Sequence, residues 1–193
     1  MGDVSGHGIG PAILAADTRA YLKALSLTDA SPGRILALSN KLLCQDTKGE
    51  CFVTLFLVHV SPDSPVVRYA AAGHQGFVIR RAGTAEAIDG QQPPLGLGPE
   101  MVAGIEDQVT LGPGDLLFLM TDGIHEAAST RDRPRSGATM FGVQRALQVV
   151  CENRHRSAAE IVSALLDCVR QFTRRRLQED DMTIVVVKAL ADE

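Results

Sequence analysis

Cysteines are few and unpaired by spacing. Cys44, Cys51, Cys151 and Cys168 make up the whole set, and no two of them form a CxxC pair. That excludes a disulfide framework and a thiolate zinc site, and it reads as free thiols in a reducing compartment. A basic excess is also missing. Lys and Arg number 19 against 23 Asp and Glu, for a net charge of −4. A protein held on nucleic acid by a basic face is therefore not expected. No apolar run is long enough to span a bilayer, and no basic-then-apolar leader opens the chain. The expectation is a cytoplasmic protein with neither membrane nor nucleic acid as partner.

Several catalytic signatures are absent as well. "GHGIG" (6–10) lacks the GxGxxG spacing and has no strand ahead of it, so a dinucleotide site is not indicated. There is no GK[ST] of a phosphate loop and no GxSxG nucleophile elbow. His7, His59, His74, His125 and His155 show no HExxH-like pairing.

The chain has 193 residues, 45% of them apolar, which suits one globular domain with a sizeable core spanning 1–193. Two helices come first. Pro11 fits a first helical position, with Leu14, Thr18, Tyr21, Leu22 and Leu25 on one face. "SPGRILALSNKLL" follows with Ser31 as N-cap, Pro32 just inside, and Ile35, Leu38, Leu42 and Leu43 as its buried stripe.

Strands come next. "CFVTLFLVHV" (51–60) is apolar on both alternating faces, as a strand covered on two sides should be. "VVRYAAAGHQGFVIRR" reads as two strands broken near Gly73–Gly76. "IEDQVTLGPGDLLFLMTDG" (105–123) reads as two more, joined at Gly-Pro-Gly. The short connections favour antiparallel pairing. Helices return in "MFGVQRALQVVCENR" and "SAAEIVSALLDCVRQF". The second carries a capping box from Ser157 and Glu160, with Ile161, Leu165 and Val169 at helical spacing. "MTIVVVKAL" (182–190) closes as a strand. The basic run Arg174–Arg176 reads as a solvated helix end in preference to a phosphate clamp. Helices around a block of strands indicate an α+β layered fold.

Three acidic sites share a pattern. Asp3 lies in a glycine-rich turn, Asp122 directly follows the apolar strand "LLFLM", and Asp180–Asp181 directly precede "MTIVVV". Acids at element ends can converge on one rim of a sheet while far apart in sequence. A carboxylate cluster repels itself unless a cation sits among it, and no Lys or Arg cluster adjoins these motifs. A hard divalent cation, Mg2+ or Mn2+, suits all-oxygen ligands. Taken singly, "TDG" and "DDMT" are more often plain turns.

The stretches "GDVSGHGIGPAILAA", "FVTLFLVHV", "RYAAAGHQGFVIRR", "PPLGLGPE", "LGPGDLLFLMTDGIHEA" and "DDMTIVVV" occur in the order found in the PPM-type (2C-type) metal-dependent protein phosphatases. The chain most resembles their bacterial branch around stage II sporulation protein E and the sigma-factor regulator phosphatases. The resemblance implies a four-layer α-β-β-α sandwich of two antiparallel sheets. It implies hydrolysis of phosphoserine or phosphothreonine, with two Mn2+ or Mg2+ ions lowering the pKa of a bound water. By motif position, Asp3 matches the metal-bridging aspartate and Val4 a ligand through its backbone carbonyl. Asp122 and Asp180 match further ligands, and Asp181 stands behind them. Gly123 lets the turn approach the metals. His7 and His74 orient turns.

Compared with the family, the chain lacks the preceding strands, including a Gly-Gly-Asp motif and the strand that delivers the bridging aspartate. The expectations are an unpaired sheet edge beside the site and weakened metal binding. The implied partner is a phosphorylated protein, such as an anti-sigma-factor antagonist, with a sensor or receiver domain upstream. A catalytically impaired pseudophosphatase that docks phosphoproteins is the alternative.

Overall fold

A computed structural model describes residues 1–28, 31–47, 51–90, 92–99, 105–129, 139–174, 178 and 180–190. The fold is α+β, with two antiparallel four-stranded sheets flanked by helices, as expected. The chain forms two compact units, Met1–Gln75 with Ile88–Thr110, and Gly76–Ala87 with Leu111–Glu193.

The first unit carries a sheet of β1 (Gly2–Val4), β2 (Val53–His59), β3 (Val66–Ala72) and β6 (Asp107–Thr110), in that spatial order. Its helices are α1 (Ile9–Leu25) and α2 (Pro32–Thr47). Leu14 and Thr18 are buried on α1, while Tyr21, Leu22 and Leu25 are half-buried. Pro11 is the third helical residue, not the first, because Gly8 occupies the N-cap at φ 97°. That shift costs nothing, since no first-turn N–H has a helical partner.

The buried face of α2 differs from the expected stripe. Ile35 and Leu43 are buried, but Leu38 is half-buried and Leu42 exposed. Leu36, Asn40, Leu43 and Thr47 form the inward row instead. Asn40 is buried with both ends of its amide bonded: Nδ2 donates to the Gly98 carbonyl at 2.8 Å, and Oδ1 accepts the Gly96 N–H at 2.9 Å. The Thr47 hydroxyl donates to the Gly96 carbonyl at 3.2 Å. Apolar periodicity does not register polar residues whose partners lie far along the chain.

The second sheet has the order β10-β7-β4-β5, from β4 (Gln75–Ile79), β5 (Ala85–Asp89), β7 (Leu116–Met120) and β10 (Ile184–Lys188). The second unit carries it apart from the outer ends of β4 and β5. Also in this unit are the one-turn helix α3 (Asp122–His125), the ribbon β8 (Ala128–Ser129) with β9 (Thr139–Met140), α4 (Val143–Asn153) and α5 (Ala158–Phe172). Leu116, Phe118 and Met120 alternate along β7. They pack with Phe77 and Ile79 against Ala146, Leu147 and Val150 of α4 and Ile161, Leu165 and Val169 of α5. Each of the larger side chains here (Val, Leu, Ile, Phe, Met), fully buried, contributes about 1.5–3 kcal/mol.

The capping box forms as expected: the Glu160 N–H donates to the Ser157 hydroxyl and the Ser157 N–H to the Glu160 carboxylate. Of the basic run, Arg175 and Arg176 lie outside the described residues. Among the described residues, no helix is long and apolar enough to cross a membrane.

The expectation that short links join paired strands holds in part. Short connections do give neighbours in β2 with β3 and in β4 with β5, but not at two junctions: β3 and β4 lie in different sheets, and so do β6 and β7. At the first junction Gly73 takes φ 66°, and its N–H donates to the Gln92 carbonyl at 3.0 Å, redirecting the chain. At the second, Asp115 redirects it. Its carboxylate accepts the Gly112 N–H at 3.0 Å, the Arg81 N–H at 2.8 Å and the Arg80 guanidinium at 3.1 Å. Those bonds dock the start of β7 beside the end of β4, where Ile79 faces Leu116.

Burial pushes the Asp115 carboxyl pKa up, but the N–H donors and the Arg80 guanidinium outweigh it, leaving the group below its ordinary value. A depressed carboxylate contributes stability above its unfolded pKa and loses it as pH falls through the folded one. Asp115→Asn is therefore expected to be about 2 kcal/mol less stable at neutral pH. The gap to the parent should narrow as denaturant melts are taken from roughly pH 5 to pH 2.

Candidate functional site

In the second unit the chain leaves β7 through Thr121, which is extended (φ −80°, ψ 164°) and caps α3. Thr121 is buried, and its hydroxyl is fully engaged. It donates to the Asp181 carbonyl at 2.9 Å and accepts the Thr183 N–H at 2.9 Å. The Thr121 N–H donates to the Thr183 carbonyl at 3.1 Å. One threonine thus ties the "TDG" turn to the "DDMT" segment. Its type and place are legible in "TDG", but its role is not, because both partners lie about sixty residues along the chain.

Gly123 completes the approach. A Cβ there would overlap the Asp181 carbonyl oxygen and stand 2.9 Å from its carbon and 3.3 Å from the Asp180 carbonyl carbon. Only glycine lets the two acidic backbones lie this close. The glycine was expected to serve approach to metals; what it meets directly is the Asp180–Asp181 main chain. Each acid is steadied locally. Asp122 Oδ1 accepts the Gly123 N–H at 2.9 Å, and Asp180 Oδ1 accepts the Asp181 N–H at 2.8 Å. Neither carboxylate has an ion-pair partner among the described residues. Asp181 contributes through its carbonyl, and its side chain is exposed.

In the first unit, Asp3 and Val4 stand on β1, at the edge of the sheet. The expectation that no strand supports Asp3 is thereby corrected. β1 pairs antiparallel with β2, with Asp3 opposite Thr54 and Val4 opposite Val53. Three residues suffice because both flanks extend the ladder. Met1 and Phe56 exchange two bonds, at 3.0 and 2.8 Å, and the Ser5 N–H donates to the Phe52 carbonyl at 2.9 Å.

Antiparallel bonding alternates, so Asp3 holds a bonded position and Val4 an unbonded one. The Val4 carbonyl therefore points off the open edge, as a main-chain ligand must. The Thr54 hydroxyl lies 3.2 Å from His74 Nδ1. This contact of His74 is thus with a strand side chain and not with a turn. His7 is exposed between Gly6 and Gly8, both at positive φ.

The donors expected for a metal are carboxylates and one carbonyl, a hard oxygen set that fits Mg2+ or Mn2+. The Gly123 cradle brings the Asp122 and Asp180 backbones together, and Asp3 and Val4 belong to the other unit. Among the described residues, no three His, Cys, Asp or Glu side chains are gathered as a complete metal-holding group.

Comparison with known proteins bears on the same motifs. The family model described as stage II sporulation protein E (SpoIIE) matches residues 1–190. Phosphoserine phosphatase RsbU of Bacillus subtilis (strain 168) is 25% identical over 193 residues, covering 97% of this chain and 54% of RsbU. The chain thus spans about half the length of that relative. Among solved structures, the SiaA PP2C domain of Pseudomonas aeruginosa superposes with a TM-score of 0.81 at 20% identity, covering 97% of this chain and 73% of that one. The structure of the PP2C phosphatase domain with a fragment of the regulatory domain of SpoIIE from Bacillus subtilis gives 0.74 at 21%, covering 97% and 52%. At these identities the structural likeness establishes the shared fold.

Proposed function

The chain belongs to the stage II sporulation protein E (SpoIIE) family of PPM-type phosphatases, and from that premise we propose that it hydrolyses phosphoserine or phosphothreonine in a regulatory protein. In this reading residues 1–193 act as a single phosphatase domain. Asp3, Asp122, Asp180 and the Val4 carbonyl are ligands of two Mn2+ or Mg2+ ions. The observation that carries it is the packing of Gly123 on the Asp180–Asp181 backbone, which holds two acidic turns side by side.

Bound there, the ions would supply an activated water and neutralise the phosphoryl oxygens. The chain's own contribution is placement. Backbone N–H donors hold one oxygen of Asp122 and one of Asp180, so both carboxylates keep a fixed orientation. Thr121 locks the two turns together through its hydroxyl. The open edge of β1 presents the Val4 carbonyl.

The resemblance to RsbU, a phosphoserine phosphatase, supports a phosphoserine substrate. A phosphorylated anti-sigma-factor antagonist fits that reading, with a sensor or receiver module elsewhere in the full-length protein. The test is turnover of p-nitrophenyl phosphate and of a phosphoserine peptide by the full chain. We expect hydrolysis that requires Mn2+, stops on chelation and returns when Mn2+ is restored. Mn2+ binding with no turnover of either substrate would overturn the enzyme reading and leave a phosphoprotein-docking module.

A further inference from the structure

We infer that Thr54 and His74 form a positioning pair for the Asp3 carboxylate, an inference that rests on the metal-dependent phosphatase reading above. Thr54 is the one polar residue in the run from Phe52 to Val58, otherwise a purely apolar strand. In the register it sits directly opposite Asp3. Directly opposed residues of an antiparallel pair point to the same face, with Cβ atoms roughly 4.5–5.5 Å apart. The Thr54 hydroxyl therefore shares the face of Asp3, and it is held there by His74 Nδ1 at 3.2 Å.

The backbone that carries the ring is fixed at the preceding residue. Gly73, just before it, donates its N–H to the Gln92 carbonyl at 3.0 Å, and a Cβ on Gly73 would meet Pro94 Cγ at 2.6 Å. That 92–95 segment returns to β2. Leu95 and Val53 exchange two backbone bonds, at 2.9 and 2.8 Å, one residue from Thr54. The histidine and the threonine it touches are thus mounted on one closed frame within the first unit.

The chemistry follows from donor counting. A carboxylate only accepts, and a hydroxyl has a single proton to give. When His74 Nδ1 carries its proton and donates to the Thr54 oxygen, the threonine proton is left to serve Asp3. Partners behind a metal ligand set its orientation, and their loss typically costs about 10–100-fold in metal affinity.

The test is calorimetric titration of Mn2+ into the full chain, with thermal melts of each variant. Thr54→Val keeps the shape and removes the hydroxyl, and its Mn2+ affinity should fall about 10–100-fold. Thr54→Ser keeps the hydroxyl and should bind within about threefold of the parent. His74→Leu should show the Thr54→Val loss, and the double variant should lose no more than either single one, as residues acting through one contact do. All four should melt as cooperatively as the parent.

The inference is overturned if Thr54→Val binds like the parent, or if Thr54→Ser loses as much as Thr54→Val. It is equally overturned if His74→Leu binds unchanged. Asp3→Asn separates this from the underlying reading. If Asp3→Asn loses affinity while Thr54→Val does not, only the positioning pair fails. If Asp3→Asn binds Mn2+ as the parent does, the ligand assignment itself fails.

Discussion

Asp122→Asn and Asp180→Asn are each expected to lower Mn2+-dependent phosphatase turnover by about 10³-fold, equivalent to about 4 kcal/mol of transition-state stabilisation. The substitution is nearly isosteric. In both positions Oδ1 accepts a backbone N–H, from Gly123 and from Asp181. An asparagine oxygen can accept the same bond, so the turns should persist and the melting temperature should stay close to the parent's. What the amide cannot supply is the negative charge that draws a hard cation. The measurement pairs initial rates across a Mn2+ series with melts of the same preparations. Turnover within a few-fold of the parent at saturating Mn2+ would remove these carboxylates from the proposed centre.

Gly123→Ala should damage both stability and activity. The added Cβ would overlap the Asp181 carbonyl oxygen and stand 2.9 Å from its carbon. Those are backbone atoms, and the segment cannot drift, because Thr121 fixes it at Asp181 and Thr183. Overpacking of this kind costs about 1–3 kcal/mol. Any relaxation has to part the Asp122 turn from the Asp180 turn. A displacement of about 1 Å in a catalytic constellation can cost around 10²-fold in rate. The two effects are read separately, as a drop in denaturation midpoint and as a fall in turnover for molecules that remain folded. An alanine variant as stable and as active as the parent would mean the two acidic turns do not depend on this contact.

Legibility tracked the range of the interactions. The α5 helix and its capping box were readable because everything that defines them lies within Ser157–Phe172. The core positions Ile161, Leu165 and Val169 were equally open to reading, since helical spacing alone puts them on one face. The inward face of α2 departs from the apolar stripe because Asn40 and Thr47 find their partners at Gly96 and Gly98, 49 to 58 residues along the chain. β6 and β7 part company although a short link favours a hairpin, because here a side chain overrides it. Asp115 ties the link to Arg80 and Arg81, in the turn that follows β4.

In the candidate site, the acids and the glycine were visible as motifs. Their supports were not. Thr121 joins residues about sixty positions apart, and Thr54 meets His74 only through the fold.

The sequence by itself determined the α+β class, the long helices, the acidic motifs and the family. All of these are written in local spacing and residue type, where propensity and periodicity act over a few neighbours. Tertiary structure alone decided which strands share a sheet, that Asp3 rides on a paired edge strand, and that the Asp122 turn rests on the Asp180 backbone. Those outcomes depend on hydrogen bonds and close contacts between distant segments, and no local pattern encodes the partner of a buried polar group.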